Sequence, residues 1–114
     1  IFISLHYNAL PETINPLARP RGYSIYYNYP HSFALAQAIY QSFTKHVSLP
    51  DDGMINNDVL FIPRIAPLPS ILVENAYLIL PQQEEMARTQ EGRAPFVKAL
   101  YQGILDFYKD YKIV

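Results

Sequence analysis

The sequence contains no cysteine among its 114 residues. The chain therefore has no disulfide framework, no thiolate nucleophile and no metal site built from cysteine. Charge is sparse and balanced as well, since 9 Lys and Arg residues stand against 10 Asp and Glu residues. Without an excess of positive charge the chain lacks the electrostatic signature of a nucleic-acid binder, and we expect no nucleic-acid partner.

Several familiar sequence signatures are also missing. No apolar run approaches the length of a membrane span, so we expect none, and no signal peptide is visible. There is no Gly-rich phosphate loop, no Gly-x-Ser-x-Gly elbow and no His-Glu-x-x-His helix. These absences argue against the common nucleotide-binding, serine-hydrolase and helix-borne metalloprotease sites.

The chain does have enough hydrophobic residues to form a core. Half of its residues are hydrophobic and 17% are charged, which rules out intrinsic disorder. Its length suits one domain and not two. The sequence opens on Ile1-Phe2-Ile3, which is typical of the middle of a strand. We therefore expect residues 1–114 to be the C-terminal part of a single larger domain.

Four segments are predicted to be strands: residues 1–5, Tyr23–Tyr27, residues 59–62 and residues 70–73. The first and last are nearly continuous apolar runs, which are typical of strands buried on both faces in parallel sheets. A long proline-rich loop is predicted from Leu10 to Tyr29, with the possible short strand Tyr23–Tyr27 inside it.

Helices are predicted between these strands. Apolar residues recur at helical spacing over 36–47, after a possible N-cap at Ser32, and Pro50 and Gly53 follow. A second helix is predicted from Pro81 to a point before Gly92, and a third from about residue 95 to residue 108. Strands that alternate with helices predict an α/β layered fold with a mostly parallel sheet.

Two titratable residues follow apolar strands directly. His6 ends the first predicted strand and Glu74 ends the last. The carboxyl ends of parallel strands are where open α/β sheets bind ligands. A neutral imidazole can ligate a metal, and a nearby carboxylate can act as general base. Spacing alone leaves structural alternatives open: a hydrogen-bonded His6, and a Glu74 that pairs with Arg64 or caps a helix.

For the other candidate residues, structural roles are the favoured interpretation. His31 and His46 lie at predicted helix ends and are interpreted as structural. A tyrosine cluster could stack on a sugar or a peptide, but an edge strand that covers a core is the favoured interpretation. Its members are Tyr23, Tyr26, Tyr27 and Tyr29.

The segments around His6 and Glu74 resemble a known family. Residues 3–9, Ile-Ser-Leu-His-Tyr-Asn-Ala, resemble the Ser-(Ile/Leu)-His-x-Asn-Ala motif of zinc-dependent N-acetylmuramoyl-L-alanine amidases. Residues 69–74, Pro-Ser-Ile-Leu-Val-Glu, resemble the family's Pro-(Ala/Ser)-(Val/Ile)-Leu-Val-Glu strand. Further similar segments occur in the family's order at residues 22–27, 32–36, 81–85 and 103–108. The resemblance covers nearly the whole chain.

The resemblance implies a fold, a site and a reaction. The fold would be a three-layer α/β sandwich, with a mixed, mostly parallel sheet and helices on both faces. His6 matches a Zn²⁺ ligand, and Glu74 matches the catalytic glutamate that activates the zinc-bound water. The reaction would be hydrolysis of the amide between N-acetylmuramic acid and L-alanine in peptidoglycan or a muropeptide. The location would be a bacterial cell envelope, periplasmic or secreted.

Departures from the family pattern leave alternatives. The family's Asp-x-Gly-His-Gly motif and its Glu ligand would both precede Ile1, so the resemblance supplies only one zinc ligand. After Glu74 the chain has Asn75-Ala76-Tyr77 where Thr/Ile-Gly-Phe is usual. The alternatives are an inactive relative that binds peptidoglycan or a partner protein, and a zinc hydrolase of the same fold that cleaves another amide.

Overall fold

The computed structural model describes residues 1–59 and 67–111. Within them lie four strands: β1 (Phe2–Asn8), β2 (Tyr23–Tyr27), β3 (Asp51–Asn56) and β4 (Ser70–Tyr77). Three α-helices accompany them: α1 (Phe33–His46), α2 (Pro81–Arg88) and α3 (Gln90–Asp110). No helix of this described part is long and apolar enough to cross a membrane. Most of the strand predicted at residues 59–62 lies outside the described residues.

The strands form one mixed sheet in the order β1-β4-β2-β3. β1 runs parallel to β4, and β2 runs parallel to β3. The central pair, β2 and β4, is antiparallel. The prediction of a mostly parallel sheet is confirmed. The two predicted strands that lead to His6 and Glu74 are also parallel neighbours.

One face of the sheet packs against α1 and α3. The core on this face contains strand and helix residues: Tyr23, Ile25, Ile71, Val73, Leu35, Ile39, Phe43, Phe96, Ala99 and Phe107. Ile25 lies directly opposite Val73 in the β2–β4 pair, and both side chains are fully buried. Because side chains alternate between the faces of a sheet, the neighbouring Ser24 and Glu74 point to the opposite face.

Strand β3 was not predicted, because Pro50 and Gly53 are typical of a turn. Gly53 has a φ of 99°, a conformation that favours glycine. The register between β2 and β3 shifts at this point, so Gly53 lies in a β-bulge and does not end the strand.

The start of the last helix was predicted wrongly. The sequence suggested a helix from about Pro95, whereas α3 begins at Gln90 and Pro95 lies inside it. Thr89 caps α3, since its hydroxyl accepts a 2.9 Å hydrogen bond from the backbone N–H of Gly92. A side chain on Gly92 would collide with the backbone of Met86 in α2. The glycine therefore permits the close approach of two helices.

Two further predictions are corrected by the structure. The Ser32 hydroxyl makes no cap hydrogen bond, and it accepts a 2.9 Å hydrogen bond from the backbone N–H of Ser70 in β4. The tyrosine-rich strand β2 is not at the sheet edge but lies between β4 and β3. Its Tyr23 is buried, with its ring centroid 5.3 Å from that of Phe43.

Candidate active site

Glu74 occupies the middle of a row that crosses three strands. It lies directly opposite His6 of β1 on one side and Ser24 of β2 on the other. Side chains at directly opposed positions point to the same face, with Cβ atoms about 4.5–5.5 Å apart. His6, Glu74 and Ser24 therefore project together from the face opposite α1 and α3.

The carboxyl group of Glu74 is partly desolvated. Its Oε2 atom is buried and has no hydrogen-bond partner among the described residues. Burial raises the pKa of Glu74 above its ordinary value of 4.5, and the charge of His6 opposes this shift. A carboxylate with a raised pKa is suited to accept a proton.

The imidazole of His6 is exposed to solvent, but a hydrogen bond orients the ring. Its Nε2 shares a 2.6 Å hydrogen bond with the hydroxyl of Ser4, two residues earlier on the same face of β1. Its backbone carbonyl accepts a 3.1 Å hydrogen bond from Nδ2 of Asn75. Nδ1 is therefore the ring nitrogen that this arrangement leaves for a further ligand.

An irregularity in the sheet follows the His6–Glu74 pair. The register runs from His6↔Glu74 to Asn8↔Tyr77, so β4 contains one residue more than β1 over this interval. Such bulges re-aim side chains and are frequent beside active sites. Here the extra residue brings Tyr77 to the face that carries Glu74.

A network of polar side chains stabilises the backbone beyond the bulge. Gln83 is buried; its Oε1 accepts from the Tyr77 N–H at 2.8 Å, and its Nε2 donates to the Arg21 carbonyl at 2.7 Å. The buried Arg21 guanidinium lies 5.8 Å from the centre of the Tyr77 ring. Arg19 pairs with Asp52 at 2.9 Å. Of these residues, Arg19, Arg21 and Gln83 border a groove of about 1010 Å³ between residues 16–21, residues 48–50 and the start of α2.

The described residues do not form a complete metal site. No group of three His, Cys, Asp or Glu side chains among them is close enough to hold an ion. His46 is the last residue of α1, and the His31 ring stacks on Tyr29 with centroids 5.4 Å apart. A catalytic zinc usually has three protein ligands. This part of the chain therefore does not by itself fit a zinc ion, and His6 is its one ligand candidate.

Sequence reasoning found His6 and Glu74 but missed two residues of this site. Ser24 lies within a β-favouring tyrosine run, where only knowledge of the strand pairing places it opposite Glu74. Asn75 follows Glu74 directly, but its bond to His6 depends on the β1–β4 contact. Arg64, the suggested structural partner of Glu74, lies outside the described residues.

Comparison with known families identifies the chain. The sequence profile of the N-acetylmuramoyl-L-alanine amidase family matches residues 1–106. The chain belongs to this family. No curated protein matches it.

Solved structures share the fold. An N-acetylmuramoyl-L-alanine amidase from Clostridium difficile 630 is 23% identical, with a TM-score of 0.82 over 96% of this chain and 58% of that one. AmiC2 of Nostoc punctiforme is 24% identical, with a TM-score of 0.81 over 95% of this chain and 57% of that one. The catalytic domain of CwlV from Bacillus (Paenibacillus) polymyxa var. colistinus is 22% identical, with a TM-score of 0.81, and the match covers 96% of this chain and 58% of that one.

These matches confirm the predicted three-layer α/β fold with a mixed sheet. The chain spans a little over half the length of the three amidase structures.

Proposed function

We propose that this chain forms the C-terminal part of the catalytic domain of a peptidoglycan amidase. The reaction is hydrolysis of the amide that joins the lactyl group of N-acetylmuramic acid to L-alanine of the stem peptide. The observation that carries the proposal is the pairing of His6 with Glu74 on parallel strands, with Oε2 of Glu74 buried and unpartnered. Membership of the amidase family supports it.

Glu74 serves as the general base in this proposal. Its carboxylate accepts a proton from the attacking water and later returns it to the nitrogen of the leaving alanine. Burial raises the pKa of Glu74, which strengthens the carboxylate as a base near neutral pH. The nitrogen must gain this proton because an amine leaves far more readily than its anion.

His6 serves as one ligand of a zinc site that other residues complete. A zinc ion held by His6 and the completing residues would polarise the amide carbonyl and would make water more acidic. Because the described residues offer no complete ligand set, the remaining ligands have to come from elsewhere. Ser4 and Asn75 fix the ring and the backbone of His6, which reduces the freedom of the imidazole before any ligand arrives. An amidase of this kind acts in the bacterial cell envelope.

The test uses the full-length gene product that contains residues 1–114, incubated with purified peptidoglycan. Glu74→Gln keeps the size of the side chain but removes the base, so we expect hydrolysis to fall by about 10²–10⁴-fold. Glu84→Gln is the matched control, since Glu84 is an exposed residue in the first turn of α2. Turnover by Glu74→Gln close to that of the unmodified protein would assign the base to another residue.

The second candidate is a relative that binds peptidoglycan without cleaving it. The departure from the family pattern after Glu74, where the chain has Asn75-Ala76-Tyr77, leaves this candidate open. Sedimentation with insoluble peptidoglycan separates the two. The amidase releases soluble peptides over time, whereas the binding protein co-sediments and leaves the polymer intact.

A further inference from the structure

Two buried polar atoms without a partner belong to residues that are paired at the centre of the sheet. Among the described residues, the buried side-chain atoms without a hydrogen-bond partner are Ser24 Oγ, Glu74 Oε2 and Asn75 Oδ1. The first two belong to directly opposed residues of β2 and β4. Buried polar groups in folded proteins are nearly always hydrogen-bonded, so two such atoms at one register position require an explanation.

The surroundings of Ser24 leave its hydroxyl few other partners. The residue is 1% exposed, so bulk water does not reach the hydroxyl. The opposed carboxylate is a strong acceptor within reach of a rotation about χ1 or of one bridging water. A hydroxyl rotates to suit its acceptor at little cost.

The strand that carries Ser24 is held firmly. β2 is an internal strand, with β4 and β3 on either side. The next residue, Ile25, is fully buried opposite Val73, which fixes the register and hence the position of Ser24 relative to Glu74. A hydrogen-bond donor on a rigid internal strand can orient a carboxylate more precisely than a donor on a loop.

We propose that Ser24 is a positioning residue whose hydroxyl donates a hydrogen bond to Oε2 of Glu74. The bond fixes the plane of the carboxylate, so that its other oxygen points to the attacking water. Ser24 lies on the β2 side of Glu74, whereas His6 lies on its β1 side. This inference rests on the proposed function of Glu74 as the base.

The kinetic test compares variants of the full-length gene product on a soluble muropeptide. We expect Ser24→Ala to lower kcat by about tenfold, the value of one such hydrogen bond, with KM changed less than about twofold. Ser24→Thr retains the hydroxyl and should restore most of kcat. Unchanged kcat in Ser24→Ala overturns the inference, as does a well-folded Ser24→Thr that is as impaired as Ser24→Ala.

Ser42→Ala is the matched control. Ser42 is also a buried serine, but its hydroxyl donates to the carbonyl of Ala99 in α3 at 2.6 Å, on the other face of the sheet. We expect this variant to melt at a lower temperature and to keep its kcat. A fall in kcat equal to that of Ser24→Ala would show that the loss reflects general destabilisation, and would overturn the inference.

A second measurement does not depend on activity. Melting temperatures of Ser24→Ala, Glu74→Ala and the double variant form a thermodynamic cycle. A hydrogen bond between the two side chains predicts that the shifts caused by the two substitutions are not additive in the double variant. Additive shifts overturn the inference. If the unmodified protein does not hydrolyse muropeptides, the proposed function fails, and the cycle still decides whether Ser24 and Glu74 interact.

Discussion

His6 and Glu74 lie directly opposite each other on the parallel strands β1 and β4. The pairing places an exposed imidazole beside a partly desolvated carboxyl group, on the face of the sheet opposite α1 and α3. The core residues of β4 pack on the other face of the sheet. The same strand therefore contributes to the core and carries the proposed base. Packing against the helices therefore fixes the position of Glu74.

Glu74 is expected to reduce the stability of the fold at neutral pH. Burial raises its pKa in the folded state above the ordinary value of 4.5, so folding disfavours the ionised form. This cost is absent below the unfolded pKa and is fully present above the folded pKa. Glu74→Gln should therefore raise the melting temperature at pH 7 by a few degrees, with a smaller difference at pH 4. A lower melting temperature for Glu74→Gln at pH 7 would contradict this.

Alkaline pH should destabilise the protein through Tyr23. Burial raises the pKa of Tyr23 from 10.0 to about 12, with smaller contributions from Asp51 and Tyr40. Because the folded pKa is the higher one, stability is full below pH 10 and is lost as the pH rises toward 12. Denaturant unfolding across this range should show a shallower decline for Tyr23→Phe. An equally steep decline in both proteins would show that other groups are responsible.

Gln83 should be important for stability although it lies on a short helix. Its removal leaves the Tyr77 N–H and the Arg21 carbonyl without their partner. Each buried group left unpaired costs about 1–3 kcal/mol. Gln83→Ala should lower the free energy of unfolding by that order, whereas Gln82→Ala at the neighbouring exposed position should change it little. Equal effects of the two substitutions would show that the Gln83 network is not stabilising.

Gly92→Ala should destabilise α3, contrary to the usual effect of this substitution. Alanine is normally favoured over glycine inside a helix by roughly 0.5–1 kcal/mol. At position 92 the added methyl group meets the backbone of Met86, which cannot move without separating α2 from α3. A fall in the free energy of unfolding is expected in denaturant titration. A gain would show that the two helices can move apart freely.

Residues 1–114 alone should bind zinc weakly or not at all. His6 is the one residue of this sequence that we propose as a zinc ligand, and a single imidazole gives too little binding free energy to hold zinc. Calorimetric titration of zinc into this fragment measures the affinity, with His6→Ala as the comparison. Stoichiometric, submicromolar binding that depends on His6 would show that further ligands lie within the sequence.

The sequence predicted those elements whose local pattern agrees with their tertiary role. The apolar runs before His6 and Glu74 are strands, and the periodic segment after Ser32 is a helix. The errors occur where a residue has a tertiary role that local rules do not describe. Gly53 forms a bulge and Gly92 allows a contact between two helices. By itself, either glycine suggests the end of a helix or strand. Ser24 was missed because its significance arises only from the pairing of β2 with β4.

Isotope labelling identifies the bond that the protein cleaves. The full-length gene product is incubated with muropeptides in ¹⁸O-labelled water, and the products are examined by mass spectrometry. We predict one labelled oxygen in the lactyl carboxylate of N-acetylmuramic acid, together with a peptide that begins at a free L-alanine, and neither product with Glu74→Gln. Intact muropeptides, or label at any other position, would contradict the account.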